Sequence, residues 1–208
     1  MIEIIKYDAN KHETQWDSFV LESNNGTIFH TRKFLNYHQD RMFEDCSFIF
    51  KNKSKIEAVF SGAIINETLH SHPGSSFGGF VFNSLSFEFG KKIVELLIDF
   101  ANKNSLKEVV VIPTPFIYYD NYNEVMEYCL YMKGFNTIEY YISSFVDLKA
   151  NLLNQMHDRK RRYIKKMQDK IKIKISDDLD SFYPILINNK LKHKAKPTHS
   201  LEELKILK

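Results

Sequence analysis

Residues 87–112 read Phe87-Glu88-Phe89-Gly90-Lys91-Lys92-Ile93-Val94-Glu95-Leu96-Leu97-Ile98-Asp99-Phe100-Ala101-Asn102, then Lys103 to Lys107, then Glu108-Val109-Val110-Val111-Ile112. Phe89, Ile93, Leu96, Leu97 and Phe100 recur at three- and four-residue spacings, which puts them on one stripe of a helix. The β-branched run that follows suits a buried strand, and Pro113 and Pro115 stop it. A long amphipathic helix feeding a short buried strand is the signature of an α/β sheet.

Working outward, residues 2–7 alternate as a strand, and residues 12–23 form a helix with Trp16, Phe19 and Val20 on its apolar stripe. Asn24-Asn25-Gly26 reads as the helix end, since Gly and Asn tolerate a left-handed C-cap. Thr31 caps a second helix over 32–40, with Phe34, Leu35 and His38 on one side. Residues 47–50 and 56–65 make a hairpin across the polar stretch 51–55. Residues 70–79 form a turn-rich insertion, and 80–82 resume extended structure. Residues 123–133 are helical with Gly134 as cap, and 140–148 form a strand. The order β-α-α-β-β-β-α-β-α-β predicts a mixed, twisted sheet with helices on both faces over residues 1–148.

Beyond that point the composition changes. Residues 152–170 read as a long basic helix, 171–175 as a strand and 179–194 as a helix, with Pro184 tolerated in its first turns. Thr198-His199-Ser200 caps a last short helix. Residues 149–208 are therefore expected to form a separate, partial α-β-α lobe. No repeat is present at a period of 20–50 residues.

Hydrophobic residues make up 43% of the 208 and charged residues 26%, which excludes a disordered chain. The net charge of +3 is unevenly placed: residues 151–174 carry nine Lys/Arg against two Asp, a local +7 that leaves −4 on the rest. One basic element on a mildly acidic body points to a localised anionic partner, not a surface that coats nucleic acid. Cys46 and Cys129 lie in apolar surroundings that suit buried thiols, with a disulfide or a reactive thiol as the other readings. No CxxC occurs, and His70 and His72 have no carboxylate or third His beside them, so no metal site is expected. There is no secretory leader and no apolar run long enough to span a membrane, so the cytoplasm is the expected compartment.

Four stretches together resemble the FemAB-like branch of the GNAT acyltransferase superfamily. Gly26-Thr27-Ile28-Phe29-His30-Thr31-Arg32-Lys33-Phe34-Leu35-Asn36-Tyr37-His38 is similar to that family's early strand-to-helix passage. His72-Pro73-Gly74-Ser75-Ser76-Phe77-Gly78-Gly79 resembles the glycine-containing loop before its central strand. Pro113-Thr114-Pro115-Phe116-Ile117-Tyr118, followed by the helix ending at Gly134-Phe135, resembles its Pro-Tyr loop and Gly-Phe helix. Arg159-Lys160-Arg161-Arg162-Tyr163-Ile164-Lys165-Lys166 resembles the basic helix that links two GNAT-like lobes.

The resemblance implies a bacterial-type transferase that moves an acyl or aminoacyl group onto the amine of a nucleotide- or lipid-linked cell-wall or polysaccharide precursor. Its donor would be acyl-coenzyme A or aminoacyl-tRNA, with no resident cofactor, and direct tRNA binding is the less favoured option. The implied substrate-binding residues are His30, Thr31, Arg32, His38, Phe77, Gly78, Gly79, Tyr118, Arg161, Tyr163 and Lys165. Arg161 stands where relatives contact the acceptor diphosphate, and His38 where they can carry a Lys. The residues alone leave alternatives open: a solvated face for the basic helix, packing or capping for His30 and Thr31, packing for Tyr163, a bulge for Gly78-Gly79, and rim packing for Tyr118. No residue reads as the general base.

Family members have a complete second lobe, and here only its opening is expected. The Arg/Gln-x-x-Gly-x-Gly/Ala turn that cradles coenzyme A pyrophosphate is also missing from the sequence. The chain alone is therefore expected to be inactive, and to dimerise or to need a complementary second-lobe fragment. The rival class is a non-catalytic binding module, or a split or degenerate transferase.

Overall fold

The computed structural model describes residues 2–37, 43–146, 148 and 151–208. It divides into two compact units, one of residues 1–136 with 202–208 and the other of 137–201.

The first unit is built on a seven-stranded mixed sheet. Strands β1 (Ile2–Lys6), β3 (Phe48–Asn52), β4 (Lys55–Ile65), β5 (Thr68–Ser71) and β7 (Glu108–Val110) lie in that order. Strands β2 (Glu44–Asp45) and β6 (Gly79–Phe82) also pair with β4. All pairings are antiparallel except β5 with β7, which is parallel. The 11-residue β4 is the spine, with β5 beside Gly62–Ile65 and β6 beside Ala58–Ser61. The stretch 70–79, expected as an insertion, is thus one strand interrupted: β5 runs into it, and the chain rejoins β4 at Gly79. Leu69 and Ser71 are buried, and their pairing with β4 overrides the turn signals around them.

Side-chain alternation sorts the core onto two faces. Phe48, Phe50, Phe60, Phe80 and Phe82 point to one, where α3 (Phe87–Lys103) and α4 (Val125–Met132) cover them with Ile93, Leu97, Met126 and Leu130. Ile49, Val59 and Val81 point to the other, against Trp16 and Val20 of α1 (Ala9–Glu22). Helices therefore lie on both faces, as the sequence predicts. Ser86 caps α3 through Phe89 N.

Several boundaries differ from the sequence reading. The helix expected over 32–40 is α2 (Arg32–Leu35) in its described part, and His38 lies outside the described residues. Asn24-Asn25-Gly26 is not a left-handed cap: Ser23 ends α1 in an extended conformation, and none of the three has a positive φ. Gly26 is required for space instead, since a Cβ there would lie 2.0 Å from the Val20 carbonyl oxygen.

In the second unit the long basic helix breaks into α5 (Leu152–Gln155) and α6 (Asp158–Met167), with His157 capping α6 through Arg159 N. Helix α7 spans Leu179–Lys192 with Pro184 inside it. The strands expected at 140–148 and 171–175 are not formed among the described residues. A strand is completed by a hydrogen-bonded neighbour, and no described segment pairs with either stretch, which leaves Ile142, Ile173 and Ile175 fully exposed. Helix α8 (Leu201–Leu207) lies almost wholly in the first unit, where Glu203 is buried. Among the described residues no helix is long and apolar enough to cross a membrane.

Candidate functional site

Strand β7 and the β5–β6 line part company at Ile112. Up to that point they are held together: Ile112 N donates to Ser71 Oγ (2.7 Å) and Gly78 N donates to Ile112 O (2.9 Å). Gly79 takes a φ of +82°, and a Cβ there would meet Val111 at 3.0 Å, so both conformation and space require glycine. After Ile112 the prolines carry the chain away from β6 and open a fork.

The fork is filled by the chain itself. Asn25 Nδ2 donates to Phe80 O and Phe82 N donates to Asn25 Oδ1, both at 2.9 Å, so one carboxamide acts as a strand residue on the outer edge of β6. Asn24 N donates to Phe82 O (2.9 Å), and on its other side Asn24 exchanges three hydrogen bonds with Asp120 and Asn121. The Asn24–Asn25 pair therefore zips β6 to residues 120–121.

Above this zip the three loops singled out in the sequence converge. His30, with no exposed surface, accepts at Nδ1 from Thr27 N (3.1 Å) and faces Thr114 Oγ1 with Nε2 (3.4 Å). Its carbonyl accepts from Trp16 Nε1 at 2.7 Å. Burial drives the His30 imidazole pKa down to about 4, so it is neutral at pH 7. Phe77 lies edge-on to Phe29 (4.9 Å) and 5.4 Å from Tyr118. His30, Phe77, Gly78 and Tyr118 are thus brought together. Thr31 caps α2 through Phe34 N. Arg32 turns inward, bonded to Asp45 Oδ2 (2.6 Å) and seated in the corner made by the Tyr7 and Trp16 rings, which stand edge to face at 72°, with Asp17 accepting from its backbone N–H.

Below Tyr118 lies a cleft of about 460 Å³ walled by Pro113, Pro115, Phe116, Tyr119, Tyr122 and Tyr128, with Glu124 and Glu127 on its rim. No sequence motif marks these carboxylates. Tyr, Glu and Asn at 122–128 look like an ordinary helix start, and only the fold of the Pro-Thr-Pro turn makes them concave.

In the second unit, Asp158, Arg161, Arg162 and Lys165 line a groove of about 420 Å³ on α6. Arg161 pairs with Asp158, and Arg159 sits 5.8 Å over the Tyr163 ring. Arg161 and Lys165, both expected to bind substrate, line this groove. Cys46 and Cys129 are buried free thiols; burial pushes Cys46 up to about 11 and raises Cys129, which leaves both unreactive. Among the described residues no three His, Cys, Asp or Glu converge as a metal cage.

No protein-family profile matches the chain, and no curated protein matches its sequence. Among solved structures, FemX superposes over 99% of this chain with a TM-score of 0.63 at 13% identity. The chain spans 54% of FemX, about half its length. An aminoglycoside N-acetyltransferase in complex with coenzyme A aligns over 70% of this chain and 95% of its own, with a TM-score of 0.45 and 12% identity. With its mixed sheet, its helices on both faces and its end-to-end superposition on half of FemX, the chain has a FemX-like α/β fold.

Proposed function

We propose that this chain is the acceptor-binding part of an acyl- or aminoacyltransferase whose acceptor is a nucleotide- or lipid-linked sugar or peptide precursor of a cell wall or surface polysaccharide. The observation that carries this reading is the superposition on FemX along nearly the whole chain. The groove on α6 supports it: Arg161 and Arg162 offer planar donor forks to a diphosphate and Lys165 adds point charge. In such a reaction an amine attacks a thioester or ester carbonyl, the thiol or hydroxyl leaves with a proton, and the protein acts mainly by positioning. Acyl-coenzyme A or aminoacyl-tRNA would serve as donor.

A second reading is a binding module without its own donor site. The Asn24–Asn25 zip favours it, because it occupies the β6 edge along which a GNAT enzyme would lay its acyl donor. Calorimetry with a uridine-diphosphate sugar on wild type and Arg161→Ala tests the acceptor assignment. Binding that weakens at least about tenfold in the variant, and weakens with added salt, is the expected result. Equal affinities, or no binding near millimolar concentration, would remove the proposal. Turnover with either donor would then decide between enzyme and module.

A further inference from the structure

The cleft beneath the Pro113-Thr114-Pro115 turn combines two features that belong together chemically. Its walls are π faces: Phe116 and Tyr122 stand edge to face at 6.0 Å, with Tyr119 and Tyr128 completing the ring set. Phe116, Tyr122 and Tyr128 are at least half exposed, which is costly for surface that covers nothing. Its rim carries Glu124, which accepts from Tyr122 Oη, and Glu127, 3.4 Å from Tyr119 Oη.

Neither carboxylate has a cationic partner among the described residues; Lys133, at the end of α4, is taken by Glu95 at 2.6 Å. The first turn of a helix ordinarily favours a negative charge by about 0.3–1 kcal/mol. Glu127 occupies that position on α4, yet its pKa is raised, first by partial desolvation against the protein and also by the charge of Glu124. The cleft as built therefore holds two neighbouring carboxylates and, among the described residues, no positive charge paired with them. Electron-rich faces and uncompensated carboxylates both act to attract a cation.

We propose that this cleft is a binding site for an aliphatic ammonium group, held over the rings of Phe116, Tyr119 and Tyr122 with its N–H bonds directed to Glu124 and Glu127. A volume of about 460 Å³ accommodates an aminoalkyl side chain or an amino sugar. An acceptor amine is one source of such a group, but the inference does not rest on the transferase reading. A chain without turnover, or without affinity for nucleotide-sugars, would still bind it.

The test is a nuclear magnetic resonance titration of the full chain with Nα-acetyl-lysine methylamide and with methyl glucosaminide. The Nε-acetylated and N-acetylated forms serve as uncharged controls. Amide shifts confined to residues 113–128, and at least about tenfold weaker binding of the acetylated forms, are expected for one ammonium compound or both. The compound that binds more tightly identifies the source of the amine. Glu124→Gln with Glu127→Gln should lower affinity at least about tenfold with the spectrum otherwise dispersed. Equal binding of acetylated and free amines, binding that survives the double substitution, or no shifts at millimolar concentration of either amine would overturn the proposal.

Discussion

The guanidinium carbon of Arg32 lies 3.4 Å from the centroid of the Tyr7 ring and 3.9 Å from that of Trp16, so one buried cation fills the corner between a ring just past β1 and a ring of α1. Asp45 of β2 neutralises it at 2.6 Å, and among the described residues Nε and Nη2 have no hydrogen-bond acceptor. The residue acts as a rivet between three elements, and its charge is used up inside the fold.

Arg32→Leu leaves Asp45 without its cation beneath two aromatic rings. The loss should be about 3 kcal/mol, near the low end for a broken buried pair because Asp45 still reaches solvent. Arg32→Lys should recover less than half of it, since a compact ammonium cannot lie against both rings and reach Asp45 as a planar guanidinium does. Urea denaturation of the three proteins measures both numbers; a Lys variant as stable as wild type would refute the ring contacts as a source of stability.

Asn25→Ala removes the carboxamide that satisfies Phe80 O and Phe82 N at once. Two buried backbone groups left unpaired should cost about 2–4 kcal/mol. Asn25→Asp keeps the acceptor for Phe82 N but turns an oxygen toward Phe80 O, and should be no better than alanine. Hydrogen exchange at the Phe82 amide reports the zip directly and should quicken in both variants.

How much of this was legible beforehand follows from what each residue's signal encodes. The 87–112 stretch was readable because one face of a helix and a β-branched run carry their environment in local spacing, and Phe89, Ile93 and Leu97 do pack inward. Asn24 and Asn25 carry no such signal, because an Asn-Asn-Gly run is the same string whether it ends a helix or bridges a strand and a loop nearly sixty and a hundred residues away. The alternating Ile-Lys run at 171–175 has a strand's pattern, but pairing depends on a neighbour that a pattern does not contain. His30, Phe77 and Tyr118 were singled out by resemblance, and the structure brings them together; Glu124 and Glu127 had no motif to flag them.

Leu97 is fully buried at the centre of the α3 face. Leu97→Ala should cost about 2–5 kcal/mol, set by how far Phe48 and Phe60 relax into the space. A loss below 1 kcal/mol would show that α3 is not seated on the sheet as described.

Acid should destabilise the fold through His30. His30 has its ordinary value of 6.5 in the unfolded chain and about 4 in the fold, where burial outweighs its hydrogen bonds to Thr27 and Gly78. Above pH 6.5 both states hold it neutral, and the native contacts contribute in full. Between 6.5 and 4 the unfolded chain binds a proton that the fold refuses, so stability falls as pH drops; below 4 both states are protonated and the loss levels off. A difference of that size amounts to roughly 3 kcal/mol. Asp8 and Glu95, both with lowered values, add losses of the same sign at lower pH, so the wild-type curve alone does not isolate His30. His30→Asn does: its carbonyl can still accept from Thr27 N, but it does not titrate. Urea midpoints of the two proteins at half-unit steps from pH 7 to 4 should converge as pH falls, the variant losing less. Parallel curves would mean that His30 takes up its proton as readily in the fold as in the unfolded chain, and that the junction of the three loops is open to water.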